Sequence, residues 1–110
     1  MFFNKCLLLF LFIFFMPSIT MALPKCEGKI FHNCTGTHFY SSGNQYKGDW
    51  KNNKPHGFGV SLYPSGNKYV GYWKNGKIDG EGILTLKDGR VMEGVWKENK
   101  FLYAKKIISK

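Results

Sequence analysis

The side chains able to do chemistry in this 110-residue chain are few, and most are widely spaced. Cys26 and Cys34 bracket His32, and His38 follows close behind. Thiols and imidazoles at these separations suit either a disulfide or a metal site with sulfur and nitrogen ligands. No second Cys-x-x-Cys and no histidine pair supports the metal. The seven acids are Glu27, Asp49, Asp79, Glu81, Asp88, Glu93 and Glu98, and only Asp79 and Glu81 lie close enough in sequence to work as an acid–base pair. Gly57-Phe58-Gly59 is not followed by a helical pattern, so it is not a phosphate-cradling loop. What remains is cationic: Lys51, Lys54, Lys74, Lys77, Lys97 and Lys100 recur at a regular interval.

That interval belongs to the whole chain. Tyr46-Lys47-Gly48-Asp49-Trp50-Lys51 returns as Tyr69-Val70-Gly71-Tyr72-Trp73-Lys74 and again as Met92-Glu93-Gly94-Val95-Trp96-Lys97, offset by 23 residues each time. A fixed period in this range marks stacked copies of one supersecondary unit. Residues 46–68 laid over 69–91 also match Gly57 with Gly80, Gly59 with Gly82 and Gly66 with Gly89. Cys34 to Gly43 matches the second half of the unit, and the third copy lacks its Gly-x-Gly, with Phe101-Leu102-Tyr103 standing there instead. The chain therefore holds a half repeat, two whole ones and another half, with the last strand missing.

Within a unit, Tyr69, Gly71 and Trp73 alternate with Val70, Tyr72 and Lys74, a strand pattern of period two. Asn75-Gly76 is a turn, Glu81 to Leu86 a returning strand, and Asp88-Gly89 a hairpin signal leading into the next copy. The expected fold is all-β: a single-layer antiparallel meander of stacked 23-residue hairpins with a short C-terminal capping segment. Glycine weakens a strand, so Gly48, Gly71 and Gly94 need a reason. Tyr and Trp rings lying over bare backbone supply one, and give a thin sheet a core.

These residues resemble the membrane occupation and recognition nexus, or MORN, repeat. The signature reads Tyr46-x-Gly48-x-Trp50 with His56-Gly57, Gly59 and Ser65-Gly66, then Tyr69-x-Gly71-x-Trp73 with Asp79-Gly80, Gly82 and Asp88-Gly89, and continues into Gly94 and Trp96. The departures are Met92 for Tyr, Asn53 for the turn glycine and the absent last strand. The resemblance implies an elongated, twisted sheet that binds proteins or membrane lipids and is not itself a catalyst. Asp79 stands where the previous copy has His56, so position in the repeat, not acid–base chemistry, accounts for it.

Residues 1–22 read as a secretory leader: Lys5, an uncharged run from Cys6 to Met16, then Pro17-Ser18 and Thr20-Met21-Ala22. The run is short for a membrane span, which needs about 20 apolar residues; an uncleaved anchor is the alternative. Lys25 before Cys26 does not suit lipoprotein processing. The mature chain, 23–110, is expected to be exported, periplasmic or secreted and envelope-associated. In an oxidising compartment Cys26 and Cys34 are expected to pair at the N-terminal edge, in a segment of 23–45 that caps the repeats of 46–100. Asn33-Cys34-Thr35 also matches a glycosylation acceptor.

Losing Lys5 lowers the formal charge from +9 to +8, which still favours anionic partners. The six lysines flank one turn in every copy, so they should line one border of the sheet, ready for an anionic membrane surface or simply keeping turns soluble. The strand face opposite the rings carries Phe58, Val60, Leu62, Val70, Tyr72, Ile83 and Val95, apolar enough for a protein partner or for self-association, unless a bulge at Gly57 or Gly80 swaps faces. Trp50, Trp73 and Trp96, in identical register, are core residues before they are stacking platforms. The tail 101–110 has Phe101, Ala104 and Ile108 at near-helical spacing and is expected to cap the last strand. No cofactor, metal, nucleic acid or small-molecule substrate is expected, and the chain is read as a binding or scaffolding module.

Overall fold

A computed structural model describes residues 22–107. The leader expected at 1–22 lies, except for Ala22, outside the described residues. Seven strands follow in chain order: β1 (Cys34–Phe39), β2 (Gln45–Lys51), β3 (Lys54–Leu62), β4 (Lys68–Lys74), β5 (Lys77–Thr85), β6 (Val91–Lys97) and β7 (Lys100–Ala104). They form one antiparallel sheet in which every strand pairs with its neighbours in sequence.

Two kinds of connection alternate. At one end, Asn52-Asn53, Asn75-Gly76 and Glu98-Asn99 join β2–β3, β4–β5 and β6–β7 as two-residue turns with positive φ at both positions. That geometry matches the twist of the flanking strands, and asparagine reaches it nearly as well as glycine, so Asn53 replaces the turn glycine without consequence. The other end carries the wider loops, such as Tyr63 to Asn67, closed by Tyr63 N–H to the Asn67 carbonyl at 3.0 Å and Gly66 N–H to the Tyr63 carbonyl at 2.9 Å.

The register aligns the glycines. Gly36, Gly48, Gly59, Gly71, Gly82 and Gly94 are partners in succession across the sheet, and the row ends on Ala104 of β7. Along this bare track lie the rings. A Cβ on Gly59 would overlap the hydroxyl end of the Tyr46 ring, and one on Gly82 that of the Tyr69 ring. The aromatic-over-glycine arrangement therefore uses the returning strand's glycines as well as those between Tyr and Trp.

The rings themselves form one continuous edge-to-face ladder. Phe31 meets Trp50 at 5.0 Å between centroids, Trp50 meets Tyr46 at 5.0 Å, Tyr46 meets Trp73 at 5.2 Å, Trp73 meets Tyr69 at 5.4 Å, Tyr69 meets Trp96 at 5.8 Å, and Trp96 meets Phe101 at 5.0 Å. Edge-to-face pairs are favoured by the ring quadrupole, each worth about 0.5–1.5 kcal/mol beyond burial. Tyr46 and Tyr69 are fully enclosed. This one-sided core replaces the second layer that most sheets require.

The C-terminal segment covers β6 as expected of a cap, but the expectation that the last strand is missing needs correction. Phe101-Leu102-Tyr103 does not end the sheet but forms β7, and the near-helical spacing of Phe101 and Ala104 does not produce a helix; Ile108 lies outside the described residues. The open backbone of β6 outweighs that weak periodicity, and Phe101 packs against Trp96 at the end of the ladder. At the other border, residues 24–26 cover β1: the Thr35 N–H donates to the Pro24 carbonyl and the Cys26 N–H to the Thr35 carbonyl, both at 2.8 Å. Cys26 and Cys34 are joined there in a disulfide, S–S 2.00 Å.

Candidate functional site

The ring-bearing face has its polar atoms in use. The Tyr46 hydroxyl donates to the Asp49 carbonyl at 2.9 Å and the Tyr69 hydroxyl to the Tyr72 carbonyl at 3.2 Å. The indole N–H groups of Trp50, Trp73 and Trp96 donate to the carbonyls of Gly36, Gly59 and Gly82 at 2.9, 3.4 and 3.2 Å. Burial raises both tyrosine hydroxyls well above their ordinary pKa, so they stay protonated donors. Buried and bonded this way, the three tryptophans do not present faces for sugars or bases. A groove of about 510 Å³ crosses this side between the two sheet ends, lined by Tyr40, Asn44, Asn53, Tyr63, Asn75 and Asn99 among others.

The opposite face is different. Val60 pairs with Val70 and Val70 with Ile83, making an apolar row across β3, β4 and β5. Beside it, Phe58 pairs with Tyr72, their rings edge-to-face at 5.6 Å, and 48% of Phe58 and 50% of Tyr72 remain open to solvent. Leu62 at one side and Val95 beside Tyr103 at the other extend the patch. The bulges do not swap faces. Between the Gly48–Gly59 and Trp50–Pro55 pairs, β3 carries two extra residues, and β5 does the same between Gly71–Gly82 and Trp73–Ile78. An even insertion keeps the period-two parity, so Phe58 stays on the side of Val60. The tail reaches only the margin: the Ile107 N–H donates to Glu93 at 2.6 Å, and Lys105 pairs with Glu81, which raises the lysine's pKa.

The lysines fall where the period puts them. Lys51 pairs with Lys54, Lys74 with Lys77 and Lys97 with Lys100, each flanking a two-residue turn at the same end of the sheet. All six are exposed, and none is in an ion pair among the described residues. Neighbouring strands about 4.8 Å apart set the pairs roughly 10 Å apart along that end.

The residues that suggested catalysis or metal binding are used elsewhere. The His32 Nδ1 accepts the Asn52 N–H at 3.0 Å and the His56 Nδ1 accepts the Asn75 N–H at 3.4 Å. Asp79 does the same one copy later, accepting the Glu98 N–H at 3.4 Å through Oδ2. Each is a clasp on the turn of the following hairpin. His38 meets Tyr40 edge-to-face, and Cys34 is in the disulfide, so the alternative metal set has no common centre among the described residues. Sequence reasoning found the equivalence of His56 and Asp79 but not the clasp; the asparagines one turn ahead were the available signal. His56→Asp should leave stability within about 0.5 kcal/mol of the parent, while His56→Ala should cost about 0.5–1.5 kcal/mol, the worth of one hydrogen bond. Chemical denaturation of both variants measures the difference.

A family model described as MORN repeat matches residues 46–68 and 69–89. No curated protein matches the chain.

Proposed function

On the premise that this is a MORN-repeat protein, we propose that it is an exported, non-catalytic binding module that holds a protein partner against the Phe58–Tyr72 face. MORN repeats suggest binding or scaffolding in general. The observation that carries it is the asymmetry of the sheet: one face spends its rings on the core, and the other leaves Phe58 and Tyr72 half exposed beside a row of Val60, Val70 and Ile83. Exposed apolar patches of this kind on a rigid scaffold are typical of recognition surfaces, where aromatic anchors dominate affinity. Export is supported by the apolar segment before residue 22 and by the paired cysteines. Non-catalysis is supported by the structural employment of the histidines, of Asp79 and of Glu81.

Replacing Phe58 and Tyr72 by Asp should weaken the partner's binding by about 2 kcal/mol or more, the loss expected at aromatic anchors. Quantitative co-purification from the source cells, against the parent, measures it. Unchanged stability of the double variant separates this from unfolding.

A second reading is favoured by the six exposed lysines on the turns. An anionic bilayer or envelope polymer laid along that end would gain up to about 1 kcal/mol per lysine near the surface. Flotation with anionic and neutral liposomes at low and physiological salt tests it. This reading expects salt-sensitive binding to anionic vesicles that is lost when Lys51, Lys54, Lys74, Lys77, Lys97 and Lys100 become Gln. No binding at physiological salt would reduce those lysines to solubility.

A further inference from the structure

The three two-residue turns do not close on the sheet alike. At the first, the Asn53 N–H donates to the Phe31 carbonyl at 2.8 Å and its Oδ1 accepts the Phe31 N–H at 2.7 Å. At the third, Asn99 holds Ile78 by the same two bonds, both at 2.9 Å. The second turn keeps only the bond from the Gly76 N–H to the Pro55 carbonyl, 2.9 Å. Its glycine has no side chain to offer, and the proline opposite has no N–H to be held. The middle of the turn end is therefore left unfilled, and the groove of about 510 Å³ opens there. Tyr46, Ser61 and Trp73, all buried, lie at its floor. Asn53, Asn75 and Asn99 stand on the turn side, and Tyr40, Asn44 and Tyr63 on the loop side.

We infer that this groove is a binding site for a neutral oligosaccharide, laid against the Tyr40 and Tyr63 rings and hydrogen-bonded by the asparagine amides. No carboxylate lines the groove, and Lys54 is its one charged side chain, so it suits neither a cation nor a polyanion. Its walls of amides and hydroxyls do not suit an acyl chain. An extended peptide draws its main-chain bonds from an open strand edge, whereas the groove crosses strands already paired on both sides. Sugar hydroxyls need donors and acceptors together, and amides supply both. The Oδ1 atoms of Asn53 and Asn99 are taken, which leaves their NH₂ groups as donors. Burial raises the Tyr40 and Tyr63 phenols above their ordinary pKa, so both stay protonated. The carbon–hydrogen face of a pyranose packs on rings of this kind, and the groove's volume falls within the range of about 300–1,000 Å³ usual for ligand sites. The site lies on the ring-bearing side of the sheet, away from the Phe58–Tyr72 face, and does not depend on it.

The test screens the chain expressed from residue 1, as processed by its host, on a multivalent array of neutral and acidic oligosaccharides, with an extended-peptide library alongside. Retention on neutral oligosaccharides is expected, and calorimetric titration of a retained sugar gives the affinity. Gly76→Asn puts into the gap the side chain that the other two turns carry there. It should weaken binding by about tenfold or more with the melting temperature nearly unchanged, because a Cβ at Gly76 meets nothing closer than Lys54 at 3.9 Å. Tyr40→Ala should weaken binding likewise, and it decides the matter alone if Gly76→Asn fails to fold. Phe58→Asp should bind sugar as the parent does, which separates this groove from the partner-binding face. Retention of no saccharide, of acidic saccharides alone or of peptides alone would overturn the inference. So would parent-like binding by a folded Gly76→Asn or Tyr40→Ala, or loss of binding in a folded Phe58→Asp.

Discussion

Gly82→Ala is expected to cost about 3 kcal/mol or more, although it adds a single methyl group. The methyl would overlap the hydroxyl end of the Tyr69 ring. That ring has no room to retreat: it is fully buried, sits between Trp73 and Trp96, and is anchored by its hydroxyl to the Tyr72 carbonyl at 3.2 Å. Either the ring leaves and the core opens, or β5 moves away from β4 and the ladder breaks. Gly59→Ala should behave alike against Tyr46. Gly76→Asn is the contrast. It sits in a turn at φ 81, where the preceding hairpin has Asn53 at φ 60, and a Cβ there meets nothing closer than 3.9 Å. Its change should stay within about 0.5 kcal/mol, as for substitutions away from packed features. Thermal and chemical denaturation of the three variants would show whether the glycines serve the rings or merely the backbone.

The second large effect is expected at Trp73. It is the one tryptophan that meets both Tyr46, at 5.2 Å, and Tyr69, at 5.4 Å, so it joins the two complete repeats. Trp73→Ala should cost about 3–5 kcal/mol through lost burial and an unfilled cavity. Against a total stability of about 5–15 kcal/mol for a domain, that leaves little. Because each unit of a stack touches only its neighbours, the loss should also uncouple the halves and broaden the unfolding transition. Trp73→Phe keeps a ring in place but gives up the bond from the indole N–H to the Gly59 carbonyl, and should cost about 1 kcal/mol from that bond plus some packing. Calorimetry of both variants, comparing calorimetric with van't Hoff enthalpy, reads the uncoupling directly.

Most of this architecture is legible in the residues because the period constrains each position twice. Tyr46 and Tyr69, Trp50 and Trp73, and the turn lysines could be placed on hairpins and on faces before any coordinates, since strand side chains alternate and the turns are short. The apolar set from Phe58 to Val95 held its side because the bulges insert two residues each in β3 and β5. That evenness is a matter of backbone pairing and leaves no mark on hydrophobic pattern. β7 was hidden for a different reason: Tyr103 stands where the earlier copies have Gly57 and Gly80, so the strand lacks its glycine mark, while Phe101, in the register of Pro55 and Ile78, closes the ring ladder by packing on Trp96. The cover over β1 rests on two backbone hydrogen bonds and one disulfide, which no periodicity announces. The clasps of His32, His56 and Asp79 depend on a side chain meeting the next turn's N–H, a contact between copies that a single unit does not contain.

These features share one logic. Putting the rings of each repeat on the glycines of its neighbours builds a core on one side only, and the other side is left free to be apolar without being needed for stability. The central claim is that this free face, not the turn end or the groove, meets the partner. The most direct measurement places a photo-activatable side chain at Phe58 or Tyr72, at Lys74 on the turn end, or at Tyr63 in the groove, and illuminates the source cells. The account predicts a discrete cross-linked protein adduct from positions 58 and 72 and none from 63 or 74. Adducts from Lys74 or Tyr63 alone, or no adduct from Phe58 and Tyr72, would contradict it.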